Sequence, residues 1–213
     1  LADAGDPRGG TWAQNDLIYA PSNISGLMKV SASGGPAVAL TQIDKGAGEV
    51  SHRWPVSIEG GQAVVFAVWT GPGLDEHRLE RLSIADGRRN VLVRGVDSPG
   101  LVAGGFLIHS GRQDAVLALP WQAGGASLEG IEPRRVPIEA RNDNEGLAAM
   151  TISDDGSFAF LQGVAGRKQA RVLWFDRAGS PSPLPIPERE YFAAVVSPDG
   201  KRVAYISDAS GAA

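Results

Sequence analysis

Val195–Ser207 reads VVSPDGKRVAYIS. Two short apolar runs flank the pair Asp199-Gly200, and such pairs accept the positive φ angles that tight hairpin turns demand. Beyond the turn, Val203 and Tyr205 share one face of an extended strand, so the segment predicts a β-hairpin with a face free for a core. Four other segments follow the same plan: Thr11–Ala20 (TWAQNDLIYA), Val56–Val68 (VSIEGGQAVVFAV), Leu101–Ser110 (LVAGGFLIHS) and Thr151–Gln162 (TISDDGSFAFLQ). Taking Asp16, Gly61, Gly105, Gly156 and Gly200 as turn markers, the spacings are 45, 44, 51 and 44 residues. In the fourth of these copies Phe158 and Phe160 again fall on one face.

Between these hairpins lie four more, offset by about twenty residues. They are Leu27–Thr41 around Gly34-Gly35, Leu79–Val93 around Asp86-Gly87, Val116–Val136 around Gly124-Gly125, and Val172–Ile186 around Gly179. Two hairpins, hence four strands, in about 45 residues make one blade of a β-propeller. The expected fold is therefore all-β, a single propeller domain of four-stranded antiparallel blades. Blades are placed at about 10–44, 49–94, 96–139 and 142–187, with a partial blade at 191–208 and an outer edge of a preceding one at Leu1–Gly9. Four blades and partial ends predict a fragment of a larger ring. Leu74–Asp86 (LDEHRLERLSIAD) is the best helix candidate, with Leu79 and Leu82 three apart; strand is favoured because the repeat places one there and Gly87 follows as a turn.

Composition agrees. Glycine supplies 28 of 213 residues and proline 14, punctuation too dense for many long helices. Hydrophobic residues make up 43% and charged ones 21%, so the chain is not a disordered one. The net charge is −4 and no basic stripe occurs, which argues against a nucleic-acid partner. No apolar run approaches the length of a membrane helix, and the first residues do not resemble a signal peptide. With no cysteine there are no disulfides, thiolate nucleophiles or cysteine-ligated metals. Sixteen arginines against four lysines fit a GC-rich genome.

Ser197–Ser207 (SPDGKRVAYIS) resembles the repeat signature of TolB-like propellers, and Ser153–Gln162 (SDDGSFAFLQ) is a weaker copy. The run from Arg8, RGGTWAQNDLIYAPSNISGLMKVSASGGPAVALT, followed by GEVSHRWPVSIEGGQAVVFAVWTG, resembles the propeller that follows the kinase domain and membrane segment of many bacterial eukaryotic-type serine/threonine kinases. VLWFDRAGSPSPLP and the stretch from Tyr191 match as well. Two features depart from the pattern: no kinase catalytic motif is present, and blade three carries Val102-Ala103-Gly104-Gly105 in place of SPDG. The resemblance implies an extracytoplasmic, periplasmic or cell-surface module for sensing or protein interaction, with any kinase outside this chain.

In a propeller, the connections entering each inner strand and those between second and third strands open on one face, around the channel mouth. That rule groups Glu49, His52, Arg53 and Trp54 with Trp69 and Asp75–His77 of blade two. His109, Arg112 and Asp114 join from blade three, Asn142–Glu145 with Arg167 and Lys168 from blade four, and Arg189–Tyr191 before the last hairpin. The candidate ligand- or partner-binding residues are Glu49, His52, Arg53, Trp54, Trp69, His77, His109, Arg112, Asn144, Glu145 and Tyr191. Exposed Trp and Arg side by side suit recognition; packing of Trp54 between blades, with Glu49 paired to Arg53 or a neighbour, is the structural alternative. Trp12 and Trp174 are expected in the core. No His-x-His or His-x₃-His pair indicates a metal site, no cofactor motif occurs, and Asn142-Asp143-Asn144-Glu145-Gly146 lacks the ligand series of a calcium loop. No G-x-S-x-G elbow supplies a nucleophile, and Asp154-Asp155 is turn chemistry. The expected function is a non-catalytic scaffold that binds a protein or small molecule at these loops, able to self-associate through its terminal blades. The alternative is an accessory propeller of a hydrolase or peptidase whose active site lies outside the chain.

Overall fold

The computed structural model describes residues 2–71, 76–96, 98–111, 115–140, 149–153, 157–161, 171–176, 179–188, 191–196 and 203–207. Its strands form four antiparallel sheets of four strands and one of two. Compactness divides the chain into two units: Leu1–Gly100 with Leu119–Glu132, and Leu101–Ala118 with Pro133–Ala213.

The first unit holds two sheets. β1 (Gly10–Ala13), β2 (Asp16–Tyr19), β3 (Met28–Ser31) and β4 (Val38–Ala39) pair in chain order. So do β5 (Glu49–Ile58), β6 (Ala63–Thr70), β7 (Arg78–Ser83) and β8 (Arg89–Arg94). Alternation along β2 and β6 places Ile18 and Ala20 against Val64, Phe66 and Val68, with Leu27 and Leu82 completing the buried cluster. Each large apolar side chain sealed there contributes about 1.5–3 kcal/mol. Within the segment 74–86, Arg78–Ser83 is a strand, followed by a turn: β7 pairs Leu82 with Val64 and Glu80 with Phe66.

Hairpin turns fall where glycine permits them. Gly60 and Gly61 take φ of 63° and 83° between β5 and β6, and an added Cβ on Gly61 would come within 2.6 Å of the Gln14 amide nitrogen. The pairs Gly34-Gly35, Gly104-Gly105 and Gly124-Gly125 also have positive φ. The first hairpin differs, because its turn uses Gln14 at φ 54° and Asp16 already begins β2.

Leu119–Glu132, which clusters with the first unit, reaches the outer edge of β8. The Leu128 amide donates to the Leu92 carbonyl at 2.8 Å, and Arg94 pairs with Glu129. Covering an edge strand in this way blocks its open hydrogen-bonding groups.

In the second unit β9 (Leu101–Ala103), β10 (Phe106–Ser110), β11 (Ala115–Pro120) and β12 (Arg134–Glu139) form one sheet, in which the last two residues of β11 cluster with the first unit. β13 (Met150–Ile152), β14 (Phe158–Leu161), β15 (Val172–Phe175) and β16 (Pro181–Pro183) form the next. Phe160 stacks on Phe175 with centroids 4.9 Å apart, and Phe158 lies 5.7 Å from Phe160, as their shared face requires. β17 (Tyr191–Val196) and β18 (Val203–Ser207) form a two-stranded sheet among the described residues. Trp174 is half-buried, but Trp12 is 54% exposed and does not belong to the core. The alternation that sends Ala13 inward turns Trp12 to the opposite face of β1. Among the described residues no helix is long and apolar enough to cross a membrane.

Candidate functional site

The stretch Glu49–Trp54 was expected in a loop; it is the first half of β5, and Glu49, His52 and Arg53 are buried. The correction follows from an irregular strand. β5 shifts register between Glu49 and Ser51 and again between Arg53 and Val56. A regular strand would turn residues three apart to opposite faces; the first irregularity returns Glu49 and His52 to the same side. The His52 Nε2–H donates to Glu49 Oε2 at 3.0 Å.

Glu49 is the hub of a buried polar cluster. The Arg78 guanidinium donates to its Oε1 at 2.5 Å, Arg89 donates to both of its carboxylate oxygens, and the Asp44 amide donates to Oε2 at 2.9 Å. Glu80 closes the circuit: Arg78 Nε donates to its Oε1 at 2.6 Å and Arg89 Nε to its Oε2 at 2.7 Å. Register brings these residues together. Arg78 lies opposite Val68, Glu80 opposite Phe66 and Arg89 opposite Leu82, so all three share the face that carries Phe66. The Arg89 guanidinium sits 5.6 Å from the Phe66 ring centre, and the His52 ring meets Phe66 edge-on at 5.1 Å.

Electrostatics match this geometry. Burial alone would raise the Glu49 carboxyl, but hydrogen bonds from Arg89, the Asp44 amide and His52 outweigh it and hold the pKa at about 2. Burial, aided by the positive charge of Arg89, pushes His52 below 6.5, against the pull of Glu49 and Glu80. Two carboxylates face two guanidiniums, so the cluster neutralises itself.

Arg53 turns the other way. Its guanidinium lies 3.6 Å from the Trp69 ring centre, a close cation–π contact, while Nε donates to Ser51 Oγ at 2.7 Å. Trp69 in turn stacks on His77, centroids 4.6 Å apart. The His77 Nε2–H is shared between the carbonyls of Thr70 and Gly71. Of the candidates singled out in the sequence, five thus form two contacting groups in the first unit: Glu49 with His52, and Arg53 with Trp69 and His77. Trp54 stands beside them, half-buried, at φ 53°; its amide donates to the Arg8 carbonyl at 2.7 Å and its ring abuts Gly9.

His109, grouped in sequence with the channel-mouth residues, closes the expected hairpin Leu101–Ser110. It lies in β10 of the second unit, 3% exposed, with Nδ1 bonded to the Ser110 carbonyl. Tyr191 opens β17, and its side chain lies outside the described residues, as do Arg112, Asn144 and Glu145. Sequence reasoning missed Arg78, Glu80, Arg89 and Thr41. The signal for two of them was the alternation Arg78-x-Glu80, opposite charges on one face of a strand beside an apolar neighbour. The first unit also contains an open cleft of about 620 Å³ between Arg89–Val91 of β8 and the loop Ala123–Ser127.

No family model matches the chain, and no curated protein matches its sequence. Solved structures do match. TolB from Acinetobacter baumannii superposes with a TM-score of 0.64 at 15% identity, over 92% of this chain and 47% of that one. A gluconolactonase, XC5397 from Xanthomonas campestris, gives 0.65 at 17% identity, over 94% of this chain and 69% of that one. The β-propeller domain of Cps50 (Swd1) from Myceliophteria thermophila gives 0.55 at 14% identity, over 92% and 64%. The chain therefore spans about half the length of TolB. At these identities the likeness is one of fold, and enzymes and non-enzymes share it: the chain has the fold of a TolB-like β-propeller.

Proposed function

We propose that the chain is a non-catalytic propeller scaffold for binding a protein or small ligand, the sensory or interaction region of a larger bacterial protein such as a receptor-type serine/threonine kinase. On this reading the blades follow the sequence repeat, 10–44, 49–94, 96–139, 142–187 and a partial 191–208, and the module works outside the cytoplasm. The observation that carries it is the closure of the Glu49–Arg78–Glu80–Arg89 cluster. The densest set of ionisable groups in the described residues is buried and satisfied from within, which supports a rigid framework better than a reactive centre. Glu49, His52 and Arg53 then serve recognition by fixing the loops above them, while half-buried Trp54 is the member of the group placed to meet a partner.

A second reading has an observation of its own. Puromycin hydrolase superposes over 97% of this chain but only 35% of its own, with a TM-score of 0.59 at 16% identity. That favours an accessory propeller attached to a hydrolase or peptidase domain. Two measurements separate the possibilities. A kinase domain and membrane helix in the flanking sequence support the first reading, and a hydrolase domain with a serine elbow supports the second. Incubating the purified chain with a gluconolactone or a peptide nitroanilide tests both, since turnover by these 213 residues alone refutes a non-catalytic role.

A further inference from the structure

We infer that His52 is an acid-sensitive latch that joins the two sheets of the first unit. The imidazole is fully buried, and every bond it makes ties β5 to chain outside β5 or to the hub that holds that chain. On one side, its backbone amide donates to the Ser25 carbonyl at 2.9 Å, and Nδ1 lies 2.7 Å from Thr41 Oγ1. Thr41 Oγ1 also accepts the Leu27 amide at 2.7 Å, and the amides of Leu40 and Thr41 both donate to the Leu27 carbonyl. On the other side, Nε2–H reaches Glu49, whose same oxygen accepts the Asp44 amide. One ring therefore closes the seam formed by Ser22–Leu27, Leu40–Asp44 and β5.

The hydrogen-bond roles fix its charge. An ionised Glu49 can only accept, so Nε2 carries a proton. Thr41 Oγ1 already receives the Leu27 N–H, which leaves its own hydroxyl proton for Nδ1. The closed seam thus holds a neutral imidazole with Nδ1 as acceptor. Protonation turns Nδ1 into a donor facing that hydroxyl. The Thr41 hydroxyl must then rotate away, losing its acceptor in a site that excludes water.

The charged groups packed around the ring do not absorb the new charge. Glu49 comes from β5, Arg78 and Glu80 from β7, and Arg89 from β8, while β6 contributes the Phe66 ring edge. These two carboxylates and two guanidiniums already cancel, so an imidazolium leaves one net positive charge in a closed interior. Opening the seam lets His52 protonate in water.

The sign follows from linkage. His52 is held below its ordinary 6.5, so the open seam binds the proton more tightly. Seam stability is complete above about pH 6.5 and falls as pH drops toward the closed-state value, by up to about tenfold in the opening constant per pH unit. Glu49 takes up a proton only as pH falls from 4.5 toward about 2 and so acts in a lower window.

The test is amide hydrogen exchange on the whole chain at about pH 7 and about pH 5, corrected for intrinsic rates. Protection in Ser22–Leu27, Leu40–Asp44 and Glu49–Arg53 is expected to fall about tenfold or more, while the β6 core holds. His52→Gln, whose amide still donates to Glu49 but does not titrate, is expected to abolish the pH dependence. Equal loss in that variant, or no loss in the wild type, overturns the latch. Should the variant fail to fold, the His52 ring-proton titration in the wild type decides: its midpoint must lie below 6.5 and mark the lower end of the loss of protection, and a midpoint at or above 6.5 overturns it.

Discussion

Replacing Glu49 by glutamine removes one negative charge from a cluster whose charges cancel, and leaves Arg78 and Arg89 sharing Glu80 alone. The size of the effect comes from the proton. Glu49 is held at about 2 against an ordinary 4.5, a depression worth about 3 kcal/mol at neutral pH. A side chain only 2% exposed gets little screening from solvent, so most of that value survives. Glutamine keeps one acceptor for Arg78, but its amide group turns donors toward Arg89. Loss of one partner from a buried pair costs about 3–5 kcal/mol, the same range. The sign is that of a depressed carboxylate: the stabilisation is present above 4.5 and lost as pH falls toward 2. Urea unfolding of wild type and Glu49→Gln should therefore differ by about 3 kcal/mol near pH 7 and converge near pH 2. Taking the difference between the two proteins cancels the titration of carboxylates outside the cluster. A gap below about 1 kcal/mol at neutral pH, or one that persists unchanged into acid, refutes the account of Glu49 as the hub.

Gly26→Ala tests the seam sterically: an added Cβ would lie 2.3 Å from the Thr41 carbonyl oxygen, so thermal unfolding should show a loss of about 2 kcal/mol or more, while Gly5→Ala, with no atom within 4 Å, should stay within about 0.5 kcal/mol of wild type. Leu128→Asp tests the cover over β8: Leu128 is 5% exposed and its amide holds the Leu92 carbonyl, so the variant should show concentration-dependent self-association by light scattering, and a monodisperse variant would remove the protective role.

The strands and turns were legible because their causes are local. Gly60-Gly61 and Gly104-Gly105 mark hairpins through the φ values they alone adopt cheaply, and Phe158 and Phe160 declare a shared face through two-residue spacing. Trp12 was illegible by the same logic. Being apolar on a strand says that it lies on one of two faces, and which face is buried depends on the sheet packed there; Ala13, not Trp12, meets Phe66 and its neighbours. The polar site fared worst. Glu49, His52 and Arg53 read as a loop because charge in sequence signals solvent, and what reverses that signal is a pair of arginines 29 and 40 residues away from Glu49. Nothing near position 49 announces them. They appear only once β6 and β7 are paired in register, when Arg78 and Glu80 fall on the face of Phe66 and Val68.

That dependence on register also bears on where recognition can occur. A side chain chosen for its charge and aromatic neighbours in sequence was expected to meet a partner, yet Arg53 spends its guanidinium face on Trp69, and Trp69 spends its other neighbour on His77. Glu49 and Glu80 spend theirs on Arg78 and Arg89. Opposite charges within hydrogen-bonding distance of each other project little field beyond a Debye length, so this cluster contributes almost nothing to steering a charged ligand. What it does contribute is stiffness: four long side chains with their rotamers fixed, tied to Leu40–Asp44 through the Asp44 amide and to Ser22–Leu27 through His52. On the proposed reading, affinity then depends on how well those segments are held, and a substitution at Glu49 or His52 weakens capture by loosening them rather than by removing a contact.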